Sequence, residues 1–290
     1  MDTCLFGITA FEVLRESDRL LPGLMSMPRT AKLSSCGVPR ASDISDALAA
    51  LGATSSPAHI LVSSGSHICA GGVVRHVYSG EVPRRSLIRC RRDLLLPSPE
   101  LCFVQLADAH ASRRNMHAAD AYSLLKREIE LALKGFELTG TYRLDPSSDE
   151  GFRTTAEPCC DKRRIQHILD EMPYIHGRAL ARRVLRLVRE RSHAPSETAM
   201  ALLVAGPRRL GGMGFTGAVL NWQVMTPDGE RYVDLGFPEL SIGMEYKGRR
   251  YHPERAHEDD RRANRLTGCG ITIFNVWHED LGAAAAVRCA

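Results

Sequence analysis

RYVDLGFPELSIGMEYK, residues 231–247, is the stretch that decides the fold of the C-terminal part of this 290-residue chain. Arg231 to Phe237 reads as one strand and Ile242 to Lys247 as the next. Both have the period-two alternation of apolar residues that a half-buried strand shows. A four-residue connection, Pro238 to Ser241, pairs Phe237 with Ile242, Leu235 with Met244 and Val233 with Tyr246. Every pair on that face is apolar, so the register is self-consistent. The other face then sets Asp234 beside Glu245, Tyr232 beside Lys247 and Gly236 beside Gly243. Like charges directly opposite each other destabilise a sheet. A divalent cation is the physical remedy, because carboxylates are hard ligands suited to Mg²⁺ and an adjacent lysine can orient water.

Upstream, Val219 to Met225 reads as a third strand, with Asp228-Gly229 as the hairpin signal. A turn at those two residues places Gln223 opposite Asp234. A helix opens at Ser196 and ends at Gly206, with Glu197 on the same face as Met200 and Val204. As a first-turn acid, Glu197 also suits the helix dipole. After Lys247, His252 stands before Pro253, which suits either a phosphate-side base or a helix cap. Ile271 to Trp277 reads as a buried closing strand.

Composition frames these local patterns. Apolar residues make up 44% and charged residues 25%, and the formal net charge is +4. Those values suit a globular protein with an ordinary core. No run approaches a membrane span of about 18–20 apolar residues, and residues 1–14 lack a basic leader. The nine cysteines have no regular spacing, which fits reduced thiols and a cytoplasmic location. Cys159-Cys160 with His167 lacks zinc-ligand spacing. Only five basic residues are lysines, so Lys247 is notable where it stands. The arginines cluster, as in Lys162-Arg163-Arg164, Arg182-Arg183 and Lys247/Arg249/Arg250. Guanidinium forks match phosphate geometry, and a solvated helix face is the alternative for each cluster.

Residues 1–192 read as a mixed α+β region. Helices are expected over Phe6–Leu20, from Ser42 or Ser45 to Leu51, over Leu101–Ala111, over Met116–Leu133 ending at Gly135, and after Gly177. Short strands are expected near His59–Val62, Val73–Tyr78 and Ser86–Cys90. Asp145–Asp161 reads as a loop or linker. The domain boundary is placed at 192/193, with 193–290 following the order helix, strand, strand, strand, helix, strand.

Asp234 followed by Glu245-Tyr246-Lys247 resembles the D…(D/E)-x-K core of the PD-(D/E)XK nuclease superfamily. More narrowly, residues 231–252 look like the very-short-patch-repair-like endonuclease domains, with Asp259, Arg262, Leu266 and Gly270 in the later part of the pattern. Many of those domains carry Asp where Lys247 stands. The resemblance implies a restriction-endonuclease-like α-β-β-β-α-β core with a mixed central sheet. It implies a Mg²⁺- or Mn²⁺-dependent endonuclease acting on DNA, in defence or repair. Asp234, Glu245 and Glu197 would be metal ligands, Lys247 would act on the water, and Gln223 and His252 would complete the catalytic set. Arg249, Arg250, Arg262 and Arg265 would be nucleic-acid contacts. Further upstream, LLLPSPELCFVQLA (residues 94–107) looks like a strand-to-helix junction of antitoxin-like abortive-infection proteins. That resemblance implies an alternative, a DNA-binding regulator in which the nuclease fold is structural and a toxin protein is the partner.

Overall fold

The structure is a computed structural model that describes residues 2–33, 36–63, 72–79, 81–111, 121–248 and 264–281. The chain is mixed α/β and divides into two compact units. The first comprises Met1–Leu138 and Glu157–Arg186, the second Thr139–Ala156 and Leu187–Ala290. The division falls six residues before the 192/193 boundary read from the sequence, and it assigns a short earlier segment to the second unit.

In the first unit, strands β1 (Thr3–Leu5), β2 (Arg29–Thr30), β3 (Ala58–Val62), β4 (Val73–Val77), β5 (Leu87–Arg91) and β6 (Leu94–Pro97) form one sheet. Its order is β2-β5-β6-β1-β3-β4. The sequence pattern begins with a helix at Phe6 and gives no sign of β1. Three residues are too few for alternation to register, yet β1 lies between β6 and β3. The expected first helix is two, α1 (Gly7–Arg15) and α2 (Ser17–Leu20), followed by α3 (Ala41–Ala49). The strand-to-helix junction is present as β6 followed by α4 (Pro99–Ala111), where the Leu101 N–H donates to Ser98 Oγ. Leu101, Cys102, Phe103 and Val104 are all fully buried. Consecutive buried residues mark α4 as a helix enclosed on every side, unlike an amphipathic surface helix. The next helix, α5 (Ala121–Thr139), runs through Gly135 instead of ending there. Phe136, Glu137 and Leu138 beyond the glycine are buried, and Arg15 holds Glu137 at 2.7 Å. That burial outweighs the roughly 1 kcal/mol helical cost of one glycine. Helices α6 (Lys162–Glu171) and α7 (Arg178–Leu185) pack on α4.

The second unit begins in the segment read as a linker. Strands β7 (Tyr142–Leu144) and β8 (Phe152–Thr154) form a hairpin there. Its polar turn, in which Asp145 Oδ1 accepts from Ser147 N–H and Oγ–H, conceals strands of three residues. Next come α8 (Pro195–Ala205), β9 (Val219–Thr226), β10 (Gly229–Phe237), β11 (Ile242–Lys247), a helical turn at 264–268 and β12 (Thr272–Trp277). The sheet order is β12-β11-β10-β9, antiparallel except for β12, which runs parallel to β11. The helix–strand–strand–strand–helix–strand order expected from the sequence is therefore the order observed. Helix α8 starts one residue earlier than expected, with Ala194 as N-cap and Pro195 at its first position, where proline's missing N–H costs nothing.

The β10–β11 register agrees with the sequence reading next to the turn, where Leu235 pairs with Met244, Gly236 with Gly243 and Phe237 with Ile242; the expected pairs Val233–Tyr246, Asp234–Glu245 and Tyr232–Lys247 are not part of the ladder among the described residues. The β9–β10 register disagrees. Gly229 pairs with Thr226, so Pro227-Asp228 is the turn and β9 is slid by two residues. The Thr226 hydroxyl, donating to the Gly229 carbonyl at 2.8 Å, holds that turn. Gln223 consequently lies opposite Tyr232, and Asn221 comes level with Asp234.

Alternation also fails along β10. Val233 packs with Val224, Leu266 and Ile271 on one face of the sheet. Phe237, with Ile242, Met244 and Phe274, lines an apolar cleft of about 430 Å³ on the other. A regular strand would put Val233 and Phe237 on the same face. The change of face falls around Asp234, level with Asn221, whose φ of 46° lies in the left-handed region. Asparagine tolerates that region better than most residues. Nor is β12 wholly buried: Val276 is buried, whereas Phe274 is 51% and Trp277 41% exposed among the described residues, because β12 is the sheet's edge.

The paired glycines are closely packed. A Cβ on Gly236 would lie 2.3 Å from the Trp222 ring, and one on Gly243 2.7 Å from Ile273 and 2.8 Å from Val233. Gly236→Ala is therefore expected to destabilise the fold by about 1–3 kcal/mol through overpacking. Urea unfolding followed by tryptophan fluorescence measures this, and an unchanged midpoint would show that Trp222 can move aside.

Candidate active site

The site is built where α8, β9, β10 and β11 meet. Helix α8 is fixed at its start by a buried hydroxyl chain. Tyr142 Oη lies 3.0 Å from Thr198 Oγ1, which lies 2.8 Å from Ser192 Oγ. The Ser192 hydroxyl donates in turn to the Ala194 carbonyl. This chain ties the β7–β8 hairpin to the first turn of α8 and sets the direction of Glu197.

Glu197 is buried, 8% exposed. Its Oε2 accepts from the His193 backbone N–H at 2.8 Å and from Asn221 Nδ2 at 2.8 Å. The same Asn221 amide donates to the Arg191 carbonyl at 2.6 Å. Burial pushes the Glu197 carboxyl up to about 7, and the nearby negative charge of Asp234 adds to the rise. Both donors oppose that rise and fall short of cancelling it.

Asp234 Oδ2 accepts from the Tyr246 backbone N–H at 2.8 Å. Tyr246 is the residue between Glu245 and Lys247, so one carboxylate links the Glu197 group to the third strand. Glu245 is 4% exposed, and its Oε2 accepts from Lys247 Nζ at 3.3 Å. A bond between residues two apart on a strand requires one face, as alternation predicts. Tyr246 Oη lies 3.2 Å from His278 Nδ1.

The expected residues thus come together as two linked groups: Glu197 with Asp234, and Glu245 with Lys247. Gln223 is not among them. It is exposed and faces Tyr232, because the turn lies at Pro227-Asp228. Asn221 takes its place. Its signal in the sequence is an asparagine inside the apolar run VLNWQVM, since asparagine is depleted in strands. Arg265 pairs with Asp228 at 2.7 Å. His252, Arg249, Arg250, Arg262 and Asp259 lie outside the described residues.

Among the described residues, no three His, Cys, Asp or Glu side chains are grouped as a ready metal cage. Mg²⁺ does not require one. It is commonly held by one or two carboxylates, with waters and substrate phosphate completing its shell. Glu197 and Asp234, close enough for the charge of one to add to the burial-driven rise of the other, are two carboxylate donors of the kind that suits such an ion. Comparisons with protein-family models, curated proteins and solved structures give no match to this chain.

The raised carboxyl has a consequence for stability. Glutamate in an unfolded chain titrates near its ordinary value of 4.5, and Glu197 in the fold near 7. The folded state therefore binds the proton more tightly, and the resulting stability is fully present below about pH 4.5 and lost as pH rises through about 7. Glu197→Gln retains an acceptor and removes this titration. In chelator, the variant's melting temperature relative to the native chain is expected to rise between about pH 5 and about pH 8. A constant difference across that range would rule out the buried carboxyl as its source.

Proposed function

We propose that the second unit is a restriction-endonuclease-like domain that hydrolyses nucleic-acid phosphodiesters, DNA being the expected substrate, with a divalent cation. The observation that carries this reading is the bond from the Tyr246 backbone N–H to Asp234. It sets Asp234 against the Glu245-Tyr246-Lys247 segment, with Glu197 held beside Asp234 by Asn221. The order of the elements and the sheet order β12-β11-β10-β9 support it as well.

Asp234 and Glu245 would hold Mg²⁺ or Mn²⁺, with Glu197 as a further ligand. When bound, the ion supplies Lewis acidity at the phosphate and lowers the pKa of water. Lys247 holds the attacking water or stabilises the charge that develops on the phosphate. In the reaction, the water gives up a proton as its oxygen bonds to phosphorus, the bond to the leaving sugar oxygen breaks, and that oxygen takes up a proton, so that one water is consumed per bond cut. Asn221, through its bond to Glu197, would act as a positioning residue.

One observation favours a second reading, a nucleic-acid-binding regulator with a toxin protein as partner. Lys247 bonds Glu245, and Asp234 bonds the main chain, so the charged residues already serve the fold. Purified full-length protein incubated with supercoiled plasmid and with DNA and RNA oligonucleotides separates the two. The nuclease reading expects Mg²⁺- or Mn²⁺-dependent nicking that stops in chelator. Lys247→Ala should reduce it by about 10²–10³-fold, whereas Gln223→Ala should leave it near the native rate. Absence of cleavage with either metal, or equal cleavage by Lys247→Ala, would favour the regulator.

A further inference from the structure

Two of the arginine clusters noted in the sequence meet in the first unit. Helices α6 and α7 border an open groove of about 460 Å³ lined by Lys162, Arg163, His167, Asp170, Arg182 and Arg186, with Leu185 as the one aliphatic residue among the described lining residues. Among the described lining residues four are permanent cations and one is a carboxylate. Basic residues stand four apart along each helix, Arg163 with His167 in α6 and Arg182 with Arg186, the C-cap of α7. That spacing puts them on one helical face, about 5–6 Å from each other.

The internal pairing shows which charges the fold already uses. Asp170 takes Arg182 at 2.5 Å, Gln166 at 3.0 Å and Arg178 at 3.8 Å. His167 lies 3.0 Å from Glu171. Asp170 therefore orients the Arg182 guanidinium, whose Nε has no acceptor among the described residues. Arg163 and Arg186 are exposed and form no ion pair among the described residues. A solvated helix face would spread such charges outward. Here two helices turn them toward one concavity.

We propose that this groove binds the sugar-phosphate backbone of a nucleic acid, with Arg163 and Arg186 as its principal phosphate contacts and Arg182, positioned by Asp170, between them. Guanidinium forks suit phosphate oxygens. A concave site with one aliphatic residue has nothing to insert into a bilayer, which argues against a lipid surface. The choice of nucleic acid over another polyanion rests on the nuclease reading of the second unit. The groove contributes affinity and no base readout, because phosphate contacts carry no sequence information.

The test is fluorescence anisotropy with the full chain in chelator, so that binding is read without cleavage. The probes are a labelled duplex and a labelled single strand of random sequence. The double variant Arg163→Ala/Arg186→Ala is expected to bind at least one probe about tenfold more weakly. The slope of log affinity against log salt should fall by about 1–2, near one for each phosphate no longer neutralised. Arg91→Ala/Arg92→Ala, which removes the same charge at exposed residues elsewhere, should bind as the native chain does. Single Arg163→Gln and Arg186→Gln variants serve if the double variant unfolds by circular dichroism, each with about half the slope change.

No binding of either probe by the native chain overturns the proposal. So does an equal loss in the Arg91/Arg92 control, and so does loss of binding to anionic phosphatidylserine vesicles with nucleic-acid binding intact. Groove-dependent binding without any metal-dependent cleavage keeps this site and removes the nuclease reading. Cleavage and binding both unchanged in the groove variants do the reverse.

Discussion

The bond from the Tyr246 backbone N–H to Asp234 is the constraint on which the second unit depends. In a regular antiparallel ladder that N–H would seek a carbonyl on the neighbouring strand. Here a side chain receives it, and around the same residue β10 changes face, with Val233 on one side of the sheet and Phe237 on the other. Strand β9 keeps its register past this point, with Asn221 in the left-handed conformation level with Asp234. One irregularity thus satisfies a main-chain donor, brings an amide to Glu197 and places an aspartate beside the Glu245-Lys247 pair.

The charges at this place are costly to the fold alone. Burying a carboxylate without full compensation raises its proton affinity, and Glu197 shows that effect. The hydroxyl chain from Tyr142 through Thr198 to Ser192 is neutral and adds rigidity without offsetting the charge. A protein needing only a stable sheet could place apolar residues here at less cost. Glu197, raised by burial and by the charge of Asp234, marks the place in the second unit where charge is kept at a cost to the fold.

Much of this is legible in the sequence, and the failures have physical causes. The β10–β11 register follows from matching apolar pairs on both sides of a four-residue turn, and the fold has that register for the three pairs nearest the turn, from Phe237–Ile242 to Leu235–Met244. The β9 register depends on choosing between two adjacent two-residue turns, Asp228-Gly229 and Pro227-Asp228. A slip of two residues keeps every side chain on its face, so hydrophobic pattern cannot choose between them, and it points to Gln223 where the fold uses Asn221. The change of face at Asp234 is invisible for a related reason: alternation assumes regular pleating, and only the left-handed asparagine breaks it. In the first unit β1, and in the second β7 and β8, escape the sequence reading because three residues carry too little pattern, although β1 lies between two other strands.

The arginines allow one more step. Net charge is only +4, which taken alone argues weakly for a polyanion partner. What the fold adds is selective neutralisation. Arg15, Arg89 and Arg183 are each matched to a specific acid, Glu137, Asp2 and Glu128. In the α6–α7 groove a single aspartate serves three side chains, while two exposed arginines have no acid of their own among the described residues. Screening reduces the reach of surface charge to about 8–10 Å at ordinary ionic strength. A long-range field from so small a net charge would therefore contribute little to binding, and any affinity for a polyanion must come from local concentrations of cation such as this one.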